Sequence, residues 1–344
     1  MQTTIQPYKA LALQISTEAI NACVDYAAAK PLMFQAIDRV CKQIKASKAF
    51  IGPDLKLVVL PEYFLTGFPM GESITEWRDK GCIDMEGDVY DAIKKIAIDA
   101  QIFLSGNVYE RDPHFPELYF QASFIIDPLG ELILRYRRLN SMFAPTPHDV
   151  LNKYIEVYGK ESLFPVAKTT IGNLACIASE EILYPEIARC MAMNGAEVFL
   201  HNTSEVGSLM QTPKNIAKLA RATENMAYVI SANSAGINKY AIPANSTDGH
   251  SQIVNYEGLK LCEVGFGETM VANATIHIDA LRYHRNRPGM ANYLSRQRFE
   301  LFASTYAQTI YPANSLLDNN NPDRSHFIQT QLSVIEALKQ GKVI

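Results

Sequence analysis

No apolar stretch in this chain approaches the ~18 residues a bilayer-spanning helix needs. The opening Met1-Gln2-Thr3-Thr4-Ile5-Gln6-Pro7 also lacks a basic n-region and a long apolar h-region, so a cytoplasmic location is expected. There is no run of five like charges, and 32 basic against 36 acidic side chains leave a net charge of only −4. That balance argues against nucleic acid or an anionic membrane as a partner. Cysteine is sparse: Cys23, Cys41, Cys82, Cys176, Cys190 and Cys262 fall at no metal-type spacing, and their apolar settings suit reduced, structural thiols. No His/Cys/Asp cluster has metal-ligand spacing, and no glycine-rich phosphate loop or dinucleotide fingerprint follows a strand. Neither a cofactor nor a metal is expected. What is present is a chain of 344 residues, 48% hydrophobic, which suffices for one large α/β domain or two fused half-units.

Apolar runs and amphipathic patterns alternate. Ala10 to Ile15 reads as a strand, Pro31 to Ala46 as a helix, and Leu55 to Leu60 as a β-rich run stopped by Pro61. A helix near Val89 to Ala100 and the strand Ile102 to Tyr109 follow. Asp127-Pro128-Leu129-Gly130 then turns a hairpin between Ala122 to Ile126 and Leu132 to Tyr136. The second half repeats this grammar. Strands are predicted at Leu174 to Ala178, Glu197 to Leu200 and Tyr228 to Ala232, helices at Pro185 to Asn194 and Pro213 to Ala227, and a hairpin turns at Tyr256-Glu257-Gly258. Two related α/β layers packed sheet on sheet are the expected architecture. The connection from Asn140 to Ser162 is long enough to serve as a wall or lid of a pocket. After a polar stretch through Asp318-Asn319-Asn320-Asn321-Pro322, a last helix over about Ser325 to Gln340 carries an apolar stripe of Phe327, Ile328, Leu332, Ile335 and Leu338. The division expected is a domain over 1–305 and a C-terminal extension over 306–344.

Three places can carry chemistry. Glu62 follows an apolar strand, at the carboxyl end where open α/β sheets place ligands, and can act as a general base; a solvated loop acid or a helix cap is the plainer reading. Leu134-Arg135-Tyr136-Arg137-Arg138 leaves the hairpin with three guanidinium groups, and alternation sets Tyr136 and Arg138 on one face and Arg135 and Arg137 on the other. One set must face inward. Cys176 to Glu186 reads as a strand end, a tight elbow at Ser179 and a helix opened by Pro185.

Taken together, several motifs resemble the nitrilase superfamily of carbon-nitrogen hydrolases over about residues 8 to 302. They are Leu60-Pro61-Glu62-Tyr63, Gly130-Glu131-Leu132 with Arg135 to Arg138, Tyr184-Pro185-Glu186, Arg221-Ala222-Thr223-Glu224-Asn225 before a strand and Asn233, and Gly249 to Val254 with Gly258. The resemblance implies a four-layer α-β-β-α sandwich. It also implies a catalytic set of glutamate base, lysine clamp and cysteine nucleophile that forms a thioester. By position these fall on Glu62, Arg138 and Ser179, so two of the three have changed type. Tyr63, Glu180, His201 and Asn202 are implied as neighbours of the ligand, and Asp149 as the nearest acid to the family's second glutamate.

The changes matter because a free thiol titrates near ~8.5 and is intrinsically nucleophilic, whereas a serine needs a base acting in concert. Arginine stays charged and cannot shuttle protons, though it can hold a carboxylate or quench Glu62 by pairing with it. Cys176, three residues upstream, projects to the opposite strand face, and Cys190 sits within the elbow helix. The expectation is therefore a pocket for a small amide, nitrile or carboxylate without ordinary cysteine-thioester chemistry, in effect a pseudoenzyme. The alternative is an amidase-type hydrolase with Ser179 as nucleophile and Glu62 as base. A homodimer or larger homo-oligomer is expected from the resemblance and the last helix.

Overall fold

The computed structural model describes residues 4–317 and 323–344; the stretch expected to be polar around Asp318 to Pro322 and the first three residues lie outside them. Its centre is two sheets. The first runs in the order Asn273–Ile276, Tyr8–Ala12, Leu55–Val59, Phe103–Arg111, Tyr119–Ile126, Leu132–Arg137, with Ile83–Asp84 beside the far end of Phe103–Arg111. The second runs Lys260–Glu263, Gln252–Val254, Tyr228–Ala232, Val198–Asn202, Gly172–Ala178, Ala167–Thr169. Each has three parallel central strands, which need helical crossovers, and antiparallel strands outside them. The chain is thus an α/β fold of two sheets flanked by helices, as its alternating grammar requires.

Helices cover the outer faces, so strand residues are buried on both sides. Along Tyr8–Ala12, Ala10 and Ala12 join the core shared with the second sheet, while Leu11 joins the core under the first sheet's helices. The same geometry resolves the arginine strand. Arg135 and Arg137 turn to the helix side onto Glu110, Tyr136 and Arg138 turn to the other sheet, and both sets are held inside.

One expected boundary needs correction. The first long helix is Tyr26–Ile51, beginning before Pro31, because the Asp25 side chain accepts from the Ala28 amide and so supplies a cap. Within the 140–162 connection, the helix Leu151–Tyr158 packs on the outer side of the first sheet, where Tyr154 and Tyr158 flank the Arg137 guanidinium and Tyr158 walls a cavity it shares with Met85, Asp112 and His114. The last helix is Arg324–Gln340, and of its expected stripe only Phe327 is buried. Among the described residues no helix is long and apolar enough to cross a membrane.

Candidate active site

Just past the strand Leu55–Val59, the chain turns and sets Glu62 between the two sheets, 1% exposed. Its amide donates to the Thr203 carbonyl (3.3 Å), and the Ser204 amide donates to its Oε2 (3.0 Å), which ties it to the end of Val198–Asn202. Its Oε1 accepts from Gln121 Nε2 at 2.6 Å and from Arg138 Nη1 at 3.4 Å. Both carboxylate oxygens are therefore engaged by donors. Gln121 is in turn oriented by Asn107, whose Oδ1 accepts from the same amide group at 3.0 Å. Tyr63, at φ 58, stacks on Tyr109 with ring centroids 5.3 Å apart, and burial, then the Glu62 charge, push its phenol up. It is a donor at this place, not a base.

Arg138, one residue beyond the strand Leu132–Arg137, spends its fork on the protein. Nε donates to the Asn140 carbonyl (2.6 Å), Nη1 to Gln121 Oε1 (2.8 Å) and to Glu62, and Nη2 to the Glu180 carboxylate. One guanidinium hydrogen is left over from five, so Arg138 braces two acids across the site. Beside it Glu181 accepts from the Leu139 amide (2.7 Å), the Asn140 amide (3.0 Å) and the Tyr136 hydroxyl (2.7 Å). Burial pushes this carboxyl up to about 7 against the pull of Arg138 and those donors.

The elbow is real. Gly172–Ala178 ends, Ser179 takes φ 50 in the left-handed region, and a 3₁₀ turn Ser179–Leu183 leads to the helix Pro185–Met193. Since the Ser179 carbonyl can only accept, His201 Nε2 donates to it (2.8 Å), and Nδ1 must accept from the Ser231 hydroxyl (2.8 Å). Burial lowers His201 to about 3, which keeps this neutral tautomer at ordinary pH. The Ser179 hydroxyl receives its contact from Lys214 Nζ at 3.4 Å, not from Glu62.

Of the other expected site residues, Glu180 reaches Arg138, while Asn202 braces the sheets by donating to the Leu60 carbonyl at 2.8 Å. Asp149 is not brought to the site. Its Oδ2 accepts from Thr146 N (2.9 Å) and Oγ1 (2.7 Å) and its Oδ1 from the Ser315 hydroxyl (3.0 Å), because it caps the short helix Pro147–Val150. Cys176 lies between the sheets, within 3.8 Å of Ser105 Oγ, with burial pushing its thiol up to about 12. Cys190 sits on the elbow helix. Among the described residues no group of three or more His, Cys, Asp or Glu could hold a metal ion.

Sequence reasoning missed Gln121, Glu181, Lys214, Lys218 and Glu205. Gln121 carried a signal, the one side-chain amide in the mostly apolar strand Tyr119–Ile126. So did Lys218, a buried cation on the inner face of Pro213–Asn225, where it pairs with Glu205. Glu62, Arg138 and Ser179 each follow the carboxyl end of a strand; Arg138 bridges Glu62 and Glu180, and Lys214, at the start of a helix, reaches the Ser179 hydroxyl. Such a cluster can orient a small polar molecule and polarise its carbonyl.

The fold is an α/β architecture of two sheets flanked by helices. The carbon-nitrogen hydrolase family matches residues 12–285, and the chain belongs to that family. It is 28% identical over 230 residues, 67% of this chain and 64% of the relative, to a formamidase of Bacillus thuringiensis (strain Al Hakam); the match thus spans somewhat less than two thirds of that protein. In structure it resembles a carbon-nitrogen hydrolase from Helicobacter pylori G27 (TM-score 0.67, 18% identity, covering 89% of this chain and 100% of the other). It also resembles a mutant of the amidase from Nesterenkonia sp. AN1 in complex with butyramide (TM-score 0.59, 20% identity, covering 88% and 98%).

Proposed function

We propose that the chain holds a small amide, nitrile or carboxylate where Glu62, Arg138 and Ser179 come together, and that cysteine-thioester chemistry does not run there. In this reading Ser179 stands at the family's cysteine position and Arg138 at its lysine position. Residues 306–344 extend a hydrolase-type domain spanning 1–305. The observation that carries the proposal is the Glu62–Arg138–Glu180 bridge beside a strained elbow that presents a hydroxyl. Support also comes from relatives named formamidase and amidase and from Cys176 packing into the core. Hydrolysis through Ser179 with Glu62 as its base has less support, because the Glu62 oxygens are taken by Gln121, Ser204 and Arg138.

Calorimetric titration with short amides, nitriles and carboxylates, alongside an ammonia assay and intact mass, tests this. Saturable binding that weakens at least tenfold in Arg138→Met, with no ammonia and no acyl adduct, is expected. Steady ammonia release that disappears in Ser179→Ala would replace the binding reading with the hydrolytic one. The double variant Ser179→Cys with Arg138→Lys is expected to gain hydrolysis.

A further inference from the structure

On the outer side of the first sheet a buried cation spends one of its hydrogen bonds on a weak acceptor. Arg137, 2% exposed, has its guanidinium 4.5 Å from the Phe120 ring centroid and 4.8 Å from that of Tyr158. Its Nη1 pairs with Asp112 Oδ2 at 2.5 Å, its Nη2 donates to Met85 Sδ at 3.1 Å, and its Nε has no hydrogen-bond partner among the described residues. A thioether sulfur accepts only weakly, so this guanidinium is under-satisfied where water cannot help it. The Tyr158 hydroxyl reaches the same sulfur at 3.8 Å while donating to Asp112 Oδ2 at 2.6 Å. Burial, then the bond to Asp112, push the Tyr158 phenol up to about 12, so it stays a donor at ordinary pH. Two donors therefore converge on one sulfur. Met85 is half-buried and walls a cavity of about 670 Å³ together with Asp112, His114 and Tyr158, which gives a molecule the size of hydrogen peroxide a way to this side chain.

We propose that Met85 is an oxidation site whose sulfoxide the fold receives, the new oxygen accepting from Arg137 Nη2 and the Tyr158 hydroxyl in place of the sulfur. The oxidant is hydrogen peroxide. A sulfur lone pair attacks one peroxide oxygen, the O–O bond breaks, and the departing hydroxide takes the proton of the transferred hydroxyl and leaves as water. The sulfur gives up two electrons and the peroxide gains them. An oxygen acceptor makes a stronger bond to a charged donor than a thioether does, and the unbranched methionine stem turns to bring that oxygen to its donors. Oxidised methionine ordinarily disrupts the packing around it; at this place the change strengthens it. Arg138, which braces Glu62 and Glu180, follows Arg137 directly, so the sulfoxide fastens the strand end that presents it.

Treating the full chain with hydrogen peroxide, then reading it by peptide mass spectrometry and thermal melting, tests this. Met85 is expected to be converted along with the exposed Met70 and Met210, while the buried Met33 and Met191 stay reduced. Conversion of the exposed methionines is common to wild type and Met85→Leu, so the two are compared, each against its own untreated form. The wild type is expected to gain about 2 °C in melting temperature over the change seen in Met85→Leu. Met85→Gln, whose side-chain carbonyl stands in for the sulfoxide oxygen, is expected to melt above the untreated wild type without any peroxide. Met85 left reduced once Met70 and Met210 are fully converted would overturn the assignment. So would a treated wild type that gains nothing over Met85→Leu, or a Met85→Gln variant that melts below the wild type; if Met85→Leu does not fold, the mass spectra and Met85→Gln decide.

Discussion

At the scale of single residues, Glu181 is a buried acid whose charge the fold disturbs within the ordinary pH range. Its carboxyl stands near 7 where 4.5 is ordinary, and burial is the cause. A raised carboxyl means that the folded chain keeps a proton that the unfolded chain gives up. The stability this contributes is present below about 4.5, is lost as pH rises through 7, and is constant above that. Glutamine keeps both geometries, accepting from Leu139 and Asn140 and donating to Tyr136, but does not titrate. Glu181→Gln is therefore expected to flatten stability against pH. Relative to it, the wild type should lose up to about 3 kcal/mol between about pH 4.5 and 7.5. Urea denaturation of both proteins across that range checks this, and parallel curves would contradict it. That Glu181 matters was hidden in the sequence. Glu180 and Glu181 are adjacent, and in the turn that follows the Ser179 elbow Glu180 meets Arg138 while Glu181 meets the 139–140 amides.

Among elements, the elbow links strand, turn and helix, and its strain is local. Ser179 at φ 50 carries a Cβ in a conformation that disfavours one, and the hydrogen bond from His201 to its carbonyl holds it there. Ser179→Gly and Ser179→Ala both delete the hydroxyl, yet only glycine relieves the backbone. The glycine variant is expected to be the more stable by about 1 kcal/mol despite its freer unfolded chain. Equal or reversed midpoints in urea would show that the elbow stores no such strain. The elements around it were legible for identifiable reasons. Apolar runs closed by Pro61, by the Asp127 to Gly130 turn and by Pro185 mark strand and helix ends wherever the local signal and the fold agree. The start of Tyr26–Ile51 was not, because Pro31 looks like a first-turn residue and the Asp25 cap lies six residues before it. The doubly buried arginine strand was only half legible. Alternation sorted its two faces, but that both are covered depends on Glu110 and Asp112, which sit on the antiparallel partner's far neighbour and the loop after it.

For the molecule as a whole, the residue misread as part of the site explains how the chain's end is fastened. Asp149 resembled a second catalytic acid because it is an acid in the connection after Arg138, and sequence spacing cannot tell a cap from a ligand. In the fold it holds Thr146 with one oxygen and Ser315 with the other, while its carbonyl accepts from the Leu316 amide at 2.9 Å. The Asn314 amide donates to the His148 carbonyl (2.9 Å) and the Asn152 amide to Asn314 Oδ1 (2.8 Å). Leu316 and Phe327 then bury themselves in the core under the first sheet's helices, and the Arg324 guanidinium lies 3.8 Å over the Phe143 ring. The tail and the 147–158 segment thus stabilise each other, on the outer face of the first sheet and away from the elbow. Removing residues 312–344 exposes that apolar surface and strips Asp149 of half its partners, so a loss of about 3 kcal/mol is expected. Because the fastening is local, hydrogen exchange should accelerate over 147–158 and stay unchanged over 174–183, and ligand affinity at the elbow should be preserved. Faster exchange at the elbow, or unaltered protection over 147–158, would mean that the tail serves the site rather than the face it covers.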